Sequence, residues 1–192
     1  MNPFLKVIPL HKNENALIKS AIKNNREAQR VLFELHAPKM LSTCRYYIKD
    51  LQYAEEAMLN GFFKVFSNLQ SFKSEGSFEG WIRRIMVRES ISFLRAQKHI
   101  EFLVDEITIN NDYTNNIKTD MDVAEIQQLI DNLPEGYQIV FVMYAVEGYK
   151  HQEIAKMLEI SEGTSKSQLF KARKLLQEKI KELNKSANYG TH

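Results

Sequence analysis

The chain has 192 residues and a formal net charge of only +2, so its length allows one ordinary domain or two small ones. With 44% hydrophobic and 26% charged residues it is composed like a folded globular protein, which excludes a disordered chain. No stretch approaches the ~20 apolar residues of a membrane span, and the lone Cys44 excludes an intramolecular disulfide and a thiolate zinc site. We expect a cytoplasmic protein with no membrane insertion.

The first half of the chain is predicted to be helical almost throughout. Apolar residues recur at helical spacing over Glu14–Asn24, then through Leu35, and again over Tyr53–Leu69. Pro38 is expected to interrupt the pattern, because proline lacks the N–H that a helix interior needs.

A basic helix is predicted from about Phe78 to Lys98, after a loop over residues 71–80 that is rich in Gly and Ser. On a helical projection three arginines lie in a narrow sector beside Trp81. They are Arg84, Arg88 and Arg95. Cations beside an aromatic ring suit phosphates and the stacking of unpaired bases. Trp81 could equally be a core anchor, and both interpretations stay open.

Between residues 99 and 120 the helical periodicity fades while Asn and acidic residues accumulate. This composition predicts a flexible linker between domains. The predicted fold class is all-α, with one small helical domain over residues 1–98 and a second over residues 121–185. A frayed tail is expected over residues 186–192.

The second domain carries a helix-turn-helix pattern over Tyr149–Leu183. Earlier breaks in the helical pattern are predicted at Leu133-Pro134 and at Gly148. A short helix, a tight turn at Glu159 and a long helix with Ser161 as its N-cap follow.

The long helix has two chemically different sides. The apolar side is expected to be buried and consists of Leu169, Ala172, Leu176, Ile180 and Leu183. The opposite side carries Lys166, Phe170, Lys174, Gln177 and Lys181, flanked by Ser167, Lys171 and Arg173. The part of this side named the cationic face comprises Lys166, Ser167, Phe170, Lys171, Arg173 and Lys174. Such a face fits the major groove of B-DNA. An ordinary solvated face is the alternative, but an aromatic ring among exposed cations argues against it.

These residues resemble the fourth-region domain of extracytoplasmic-function (ECF) sigma factors, which belong to the sigma-70 family of RNA polymerase subunits. The matching segments are Gln152-Glu153-Ile154-Ala155, Leu158, Ile160-Ser161, residues 162–167 and residues 171–176. The first half resembles the same family's second-region domain. It does so through Ala54-Glu55-Glu56, Phe62, Lys64, Val65, Phe78, Trp81, Arg84-Ile85 and Phe93-Leu94.

The resemblance implies a non-enzymatic factor without a cofactor, which directs core RNA polymerase to promoters and helps to open them. It implies that polymerase is bound by Glu55, Glu56, Asn60, Phe62 and Phe63. It implies that the minus-ten element, as duplex and as melted strand, is bound by Phe78, Trp81, Arg84, Arg88 and Arg95. The cationic face would contact the minus-thirty-five duplex, and an anti-sigma factor is implied as a further partner.

Two departures from the family pattern lie in the second domain. Glu159 stands where a Gly usually makes the turn, and a left-handed backbone would cost a non-Gly residue about 1 kcal/mol. Ser165 replaces a usual Val.

Two other classes of protein remain as alternatives. A conventional helix-turn-helix regulator would bind duplex DNA without polymerase, and a helical signalling adaptor would not depend on the lysines of the cationic face.

No catalytic or metal-binding residue is expected. The five histidines lack metal-ligand spacing, and the Gly residues form no phosphate-binding loop. His151 near Glu153 is interpreted as a surface pair rather than a catalytic dyad.

Overall fold

The computed structural model of the protein describes residues 14–97 and 123–189. Every regular element within these two ranges is a helix, which confirms the all-α prediction. The predicted linker over residues 99–120 lies outside the described residues. The chain divides into two compact units, residues 1–90 and residues 91–192, and the division falls inside a helix.

The described residues of the first unit form four helices and a short 3₁₀ turn. They are α1 (Glu14–Ile22), α2 (Arg26–Arg45), α3 (Leu51–Ser67), the turn Leu69–Ser71 and α4 (Phe78–Ala96), whose last residues belong to the second unit. Side chains cap the N-termini of α2 and α3. The Asn25 side chain accepts a hydrogen bond from the Ala28 N–H, and Asp50 accepts one from the Tyr53 N–H.

Pro38 does not interrupt the second helix, so that prediction is wrong. α2 runs unbroken from Arg26 to Arg45 with Pro38 inside it. Side chains at intervals of four residues are buried on both sides of the proline, namely Leu32, His36, Met40 and Cys44. Burial of this stripe outweighs the roughly 3 kcal/mol that a proline costs in a helix interior.

The core of the first unit is formed by buried side chains of α1, α2, α3 and the first part of α4. Gly61 of α3 approaches α4 so closely that a Cβ atom there would lie 2.4 Å from the Sδ atom of Met86. The Lys64 ammonium is 2.5 Å from the Glu89 carboxylate across the same two helices. These contacts hold α4 against α3, with the other side of α4 exposed to solvent.

After the end of α4, the described residues of the second unit form α5 (Val123–Asp131), α6 (Glu135–Phe141), a π-helical turn (Val142–Val146), α7 (His151–Leu158) and α8 (Glu162–Tyr189). The predicted breaks are confirmed, since Pro134 separates α5 from α6 and Gly148 adopts a φ of 76° before α7. α6 and α7 both pack against α8.

The apolar side of α8 is buried along only part of its length. Leu169, Ala172 and Leu176 are buried as predicted, whereas Ile180 is half-buried and Leu183 is 47% exposed. The helix also continues to Tyr189, past the point where fraying was predicted. The prediction for Leu183 is therefore wrong, because α8 extends beyond the helices that pack against its first half.

Candidate nucleic-acid interface

A polar pocket lies in the first unit between the loop before α4 and the first turns of α4. The loop ends at Ser77, whose hydroxyl accepts a hydrogen bond from the Gly80 N–H at 3.0 Å and so caps α4. The backbone turns sharply at Ser74 and Gly76, both of which have positive φ. The pocket is lined by Ser71, Phe72, Lys73, Glu75, Gly76, Ser77, Gly80, Trp81 and Arg84.

Trp81 lies between the core and this pocket. Its ring is 5.8 Å from the Phe78 ring and 5.5 Å from the Phe72 ring, measured between centroids. The side chain is half-buried and also lines the pocket. Trp81 therefore packs on the core with part of its surface and faces the pocket with the rest. Its role in stacking bases stays a prediction.

The structure separates the other residues assigned to the minus-ten element. Arg84 and Arg88 are exposed one helical turn apart on α4. Phe78 is buried against Phe72 and His36, so its side chain contributes to the core and not to a surface. Arg95 lies at the end of α4, in the second unit, where its guanidinium pairs with Glu159 of the same unit.

The outer side of α3 carries an exposed mixture of acidic and apolar residues. Phe63 is 74% exposed, and Glu55, Glu56 and Asn60 are exposed on the same helix. Phe62 is different, because it is buried and packs on the Phe33 ring at 4.7 Å between centroids. Of the residues assigned to polymerase binding, Phe62 therefore belongs to the core.

The turn between α7 and α8 has the geometry that the sequence predicts. Glu159 adopts a left-handed conformation with φ of 56° and ψ of 40°. The Ser161 hydroxyl accepts a hydrogen bond from the Thr164 N–H at 2.9 Å, which confirms it as the N-cap of α8. This turn sets the direction in which α8 leaves α7.

The cations of α8 are held by neighbouring side chains. The Lys166 ammonium is 2.8 Å from the Glu162 carboxylate, and this hydrogen bond holds the pKa of Glu162 below its usual range. The Lys171 ammonium lies 5.8 Å from the centroid of the Tyr137 ring. The Arg173 guanidinium lies 5.5 Å from the centroid of the Tyr144 ring. Aromatic faces attract cations, so both rings help to orient these side chains.

The remaining residues of the cationic face differ in exposure. Lys174 is exposed, and Phe170 is half-buried. Ser167 is largely buried, and its hydroxyl donates to the Thr164 carbonyl at 3.0 Å. Ser167 therefore contacts its own helix, while the other five members reach the surface.

His151 does not form the surface pair with Glu153 that the sequence suggested. Its Nδ1 lies 2.9 Å from the Oγ of Ser165, which is fully buried on α8. The Glu153 carboxylate instead accepts a hydrogen bond from the Lys150 N–H at 2.8 Å. His151 thus joins α7 to α8, and the polar Ser165 in place of an apolar residue has a partner.

Three aromatic residues near the interface were not identified from the sequence: Phe72, Tyr137 and Tyr144. The position of Phe72 inside a Gly- and Ser-rich loop was the one available signal. For Tyr144 there was none, because its orientation depends on the π-helical turn that contains it.

Comparison with known proteins matches two family models to the chain. The model described as Sigma-70 region 2 matches residues 32–100, and that described as Sigma-70, region 4 matches residues 124–176. An ECF RNA polymerase sigma-E factor of Haemophilus influenzae is 24% identical over 184 residues, which are 88% of this chain and 96% of that protein. The chain belongs to the ECF group of the sigma-70 family.

Other relatives of this sigma factor carry similar names. The ECF RNA polymerase sigma factor SigW of Bacillus subtilis is 25% identical over 179 residues, covering 86% of this chain and 96% of that protein. A solved structure of the sigma factor RpoE in complex with the anti-sigma factor NepR from Bartonella quintana is also similar. The match covers 79% of this chain and 96% of the solved chain, with 17% sequence identity and a TM-score of 0.49.

The described part of the sigma factor offers neither a metal site nor a membrane span. Within residues 14–97 and 123–189, no group of His, Cys, Asp and Glu could hold a metal ion. Among the same residues, no helix is both long and apolar enough to span a bilayer.

Proposed function

We propose that this sigma factor binds core RNA polymerase in the cytoplasm and directs it to specific promoters. The observation that carries the proposal is the match to both sigma regions, in family order, on one chain. The factor supplies binding energy and takes part in no chemistry itself, so it needs no cofactor. Family membership also suggests an anti-sigma factor as a partner that controls its availability.

The division of labour follows the two units. We assign the minus-thirty-five duplex to the exposed cationic face of α8, and the minus-ten element to α4 and the pocket before it. The domains that carry these roles extend over residues 121–185 and 1–98 in this proposal, with residues 99–120 as the linker.

The pocket offers a physical route to strand opening. Taking a base out of the duplex costs a few kcal/mol of unstacking. Stacking on an aromatic ring returns ~1–3 kcal/mol per base, and the rings of Trp81 and Phe72 both line the pocket. Lys73 and Arg84 supply positive charge beside it, which suits the strand's phosphates.

Trp81 is the only tryptophan of the chain, so its fluorescence reports directly on this pocket. We expect this fluorescence to be quenched when the full chain is titrated with single-stranded oligonucleotides that span the minus-ten region of a transcript start mapped with this protein and core polymerase. Arg84→Gln should lower the affinity for the oligonucleotide severalfold. Arg26→Gln is the matched control, because it removes the same charge from an exposed position on α2. Equal effects of the two variants would contradict the assignment of the pocket.

The outer side of α3 is proposed to dock on polymerase through Glu55, Glu56, Asn60 and Phe63. A side chain as exposed as Phe63 gains from being covered by a partner, whereas its truncation leaves the core intact. We expect Phe63→Ala to weaken binding to core polymerase at least tenfold. Leu183→Ala, which truncates an exposed apolar side chain in the second unit, should leave binding unchanged.

The function as a whole is tested by transcription with purified core polymerase. The protein is added to a genomic template library and the transcript starts are mapped. A sigma factor produces a defined set of starts that requires both polymerase and this protein. A conventional regulator would bind duplex DNA by itself and add no new start, and that result would refute the proposal.

A further inference from the structure

A stack of three side chains connects the helices of the helix-turn-helix unit. The His151 ring lies on the Tyr144 ring, with centroids 4.7 Å apart and planes inclined by 25°. The Arg173 guanidinium lies over the same Tyr144 ring. His151 is also hydrogen-bonded to the buried Ser165 of α8. The imidazole therefore contacts the π-helical turn and α8 while it occupies the first position of α7.

The surroundings of this imidazole disfavour its charged form. Burial lowers the pKa of His151 below its usual range, and Lys166 and Arg173 lower it further, with Glu162 acting in the opposite direction. These three residues are the charged groups that face it from α8. Tyr144 faces it from the π-helical turn, and its charged neighbours in sequence are Lys150, just before α7, and Glu153 within α7.

Two of those neighbours belong to the cationic face that is assigned to duplex DNA, so a link between His151 and DNA rests on the proposed function. Phosphates bound by Lys166 and Arg173 would offset the positive charge that now repels an imidazolium. The same phosphates would attract the imidazolium directly. Binding of the duplex should therefore favour protonation of the ring.

We propose that His151 is a positioning residue of the DNA-binding helix that takes up a proton when the promoter duplex binds. Its Nδ1 can hold Ser165 in both states, as an acceptor when the ring is neutral and as a donor when it is charged. The contact to α8 is thus retained, while the charge next to the cationic face changes with pH.

The sign of the effect is set by proton linkage. If the bound state holds more protons than the free state, affinity rises as the pH falls between the two protonation midpoints. Because only one proton is linked to binding, the DNA affinity can change by at most about tenfold per pH unit. For the wild-type chain we expect promoter affinity to rise about threefold to tenfold between about pH 8 and pH 6, the range in which histidine titrates.

The test uses the full chain with core polymerase and a duplex carrying the upstream element of a mapped transcript start. Affinity is measured by fluorescence anisotropy across this pH range for the wild type and three variants. His151→Gln removes the titrating group, and His151→Phe keeps an aromatic ring for the stack on Tyr144. Both should lose the pH-dependent component, whatever their affinity at a single pH. Ser165→Ala keeps the histidine and should retain the pH dependence, with weaker binding throughout.

Each outcome decides between the two proposals. The same pH dependence in the wild type and in both His151 variants would overturn this inference alone. Loss of the pH dependence in Ser165→Ala would also overturn this inference. The pH dependence would then come from the hydrogen bond between His151 and Ser165 and not from proton uptake by His151. A wild-type complex that never binds the duplex would overturn the proposed function and this inference with it.

Discussion

The replacement of Lys166 by alanine is the sharpest test of the cationic face. Its side chain is 49% exposed, and its ion pair with Glu162 lies on the surface. Surface ion pairs contribute only about 0–1 kcal/mol, so Lys166→Ala should leave the second unit folded. Any loss of DNA binding can then be attributed to the missing cation.

The expected size of the effect can be worked out from counterion release. Each phosphate contact contributes about 0.9 to the slope of log affinity against log salt concentration. When the salt concentration rises fourfold, a variant that has lost one phosphate contact should therefore lose about 3.5-fold less DNA affinity than the wild type. Adding Lys171→Ala should bring this difference to about twelvefold if both lysines contact phosphates.

Lys179→Ala is the matched control on the same helix. Lys179 is 62% exposed and pairs with Glu182 at 2.9 Å, and it lies about 20 Å further along the axis of α8. Both variants change the net charge equally. Anisotropy titrations of promoter duplex at several salt concentrations, with core polymerase present, should show a flatter slope for Lys166→Ala alone. Equal slopes for the two variants would refute the assignment of Lys166 to the interface.

Three further predictions concern stability. Ser161→Ala should lower the free energy of unfolding of the second unit by about 1 kcal/mol, because the N-cap of α8 is lost, whereas Ser161→Asn should not; hydrogen exchange of α8 amides measures both. Glu159→Gly should be about 1 kcal/mol more stable than Glu159→Ala, since both remove the carboxylate and only glycine relieves the left-handed backbone; thermal melts would contradict this if the two coincide. Burial raises the pKa of the Cys44 thiol from its ordinary value near 9 to about 11. The buried thiol therefore contributes its full stabilisation below pH 9, and this stabilisation is lost as the pH rises through 11. In denaturant titrations at alkaline pH, Cys44→Ala should lack this loss of stability.

Local signals in the sequence predicted much of the fold. The Ser161 cap, the breaks at Pro134 and Gly148 and the tight turn at Glu159 each depend on a few neighbouring residues, and each is confirmed. Pro38 was misjudged because burial on both sides of it, a tertiary effect, decides whether the helix continues.

The candidate site was predictable by region and less so by residue. A helical projection identifies the side of α3 or α4 that carries a motif, but adjacent residues such as Phe62 and Phe63 differ in burial because of the helices packed against them. The stack of Tyr144 on His151 could not be predicted from the sequence, for a different reason. It depends on a π-helical turn, which 3.6-residue periodicity does not describe.

The position of Cys44 makes the natural chain suitable for distance measurements by spin labels. It is the only cysteine and is fully buried, so probes attached to cysteines introduced on the surface would meet no competing native site. One label on the outer side of α3 and another near the end of α8 would follow the separation of the two units as polymerase and promoter are added. The native core would stay unaltered throughout.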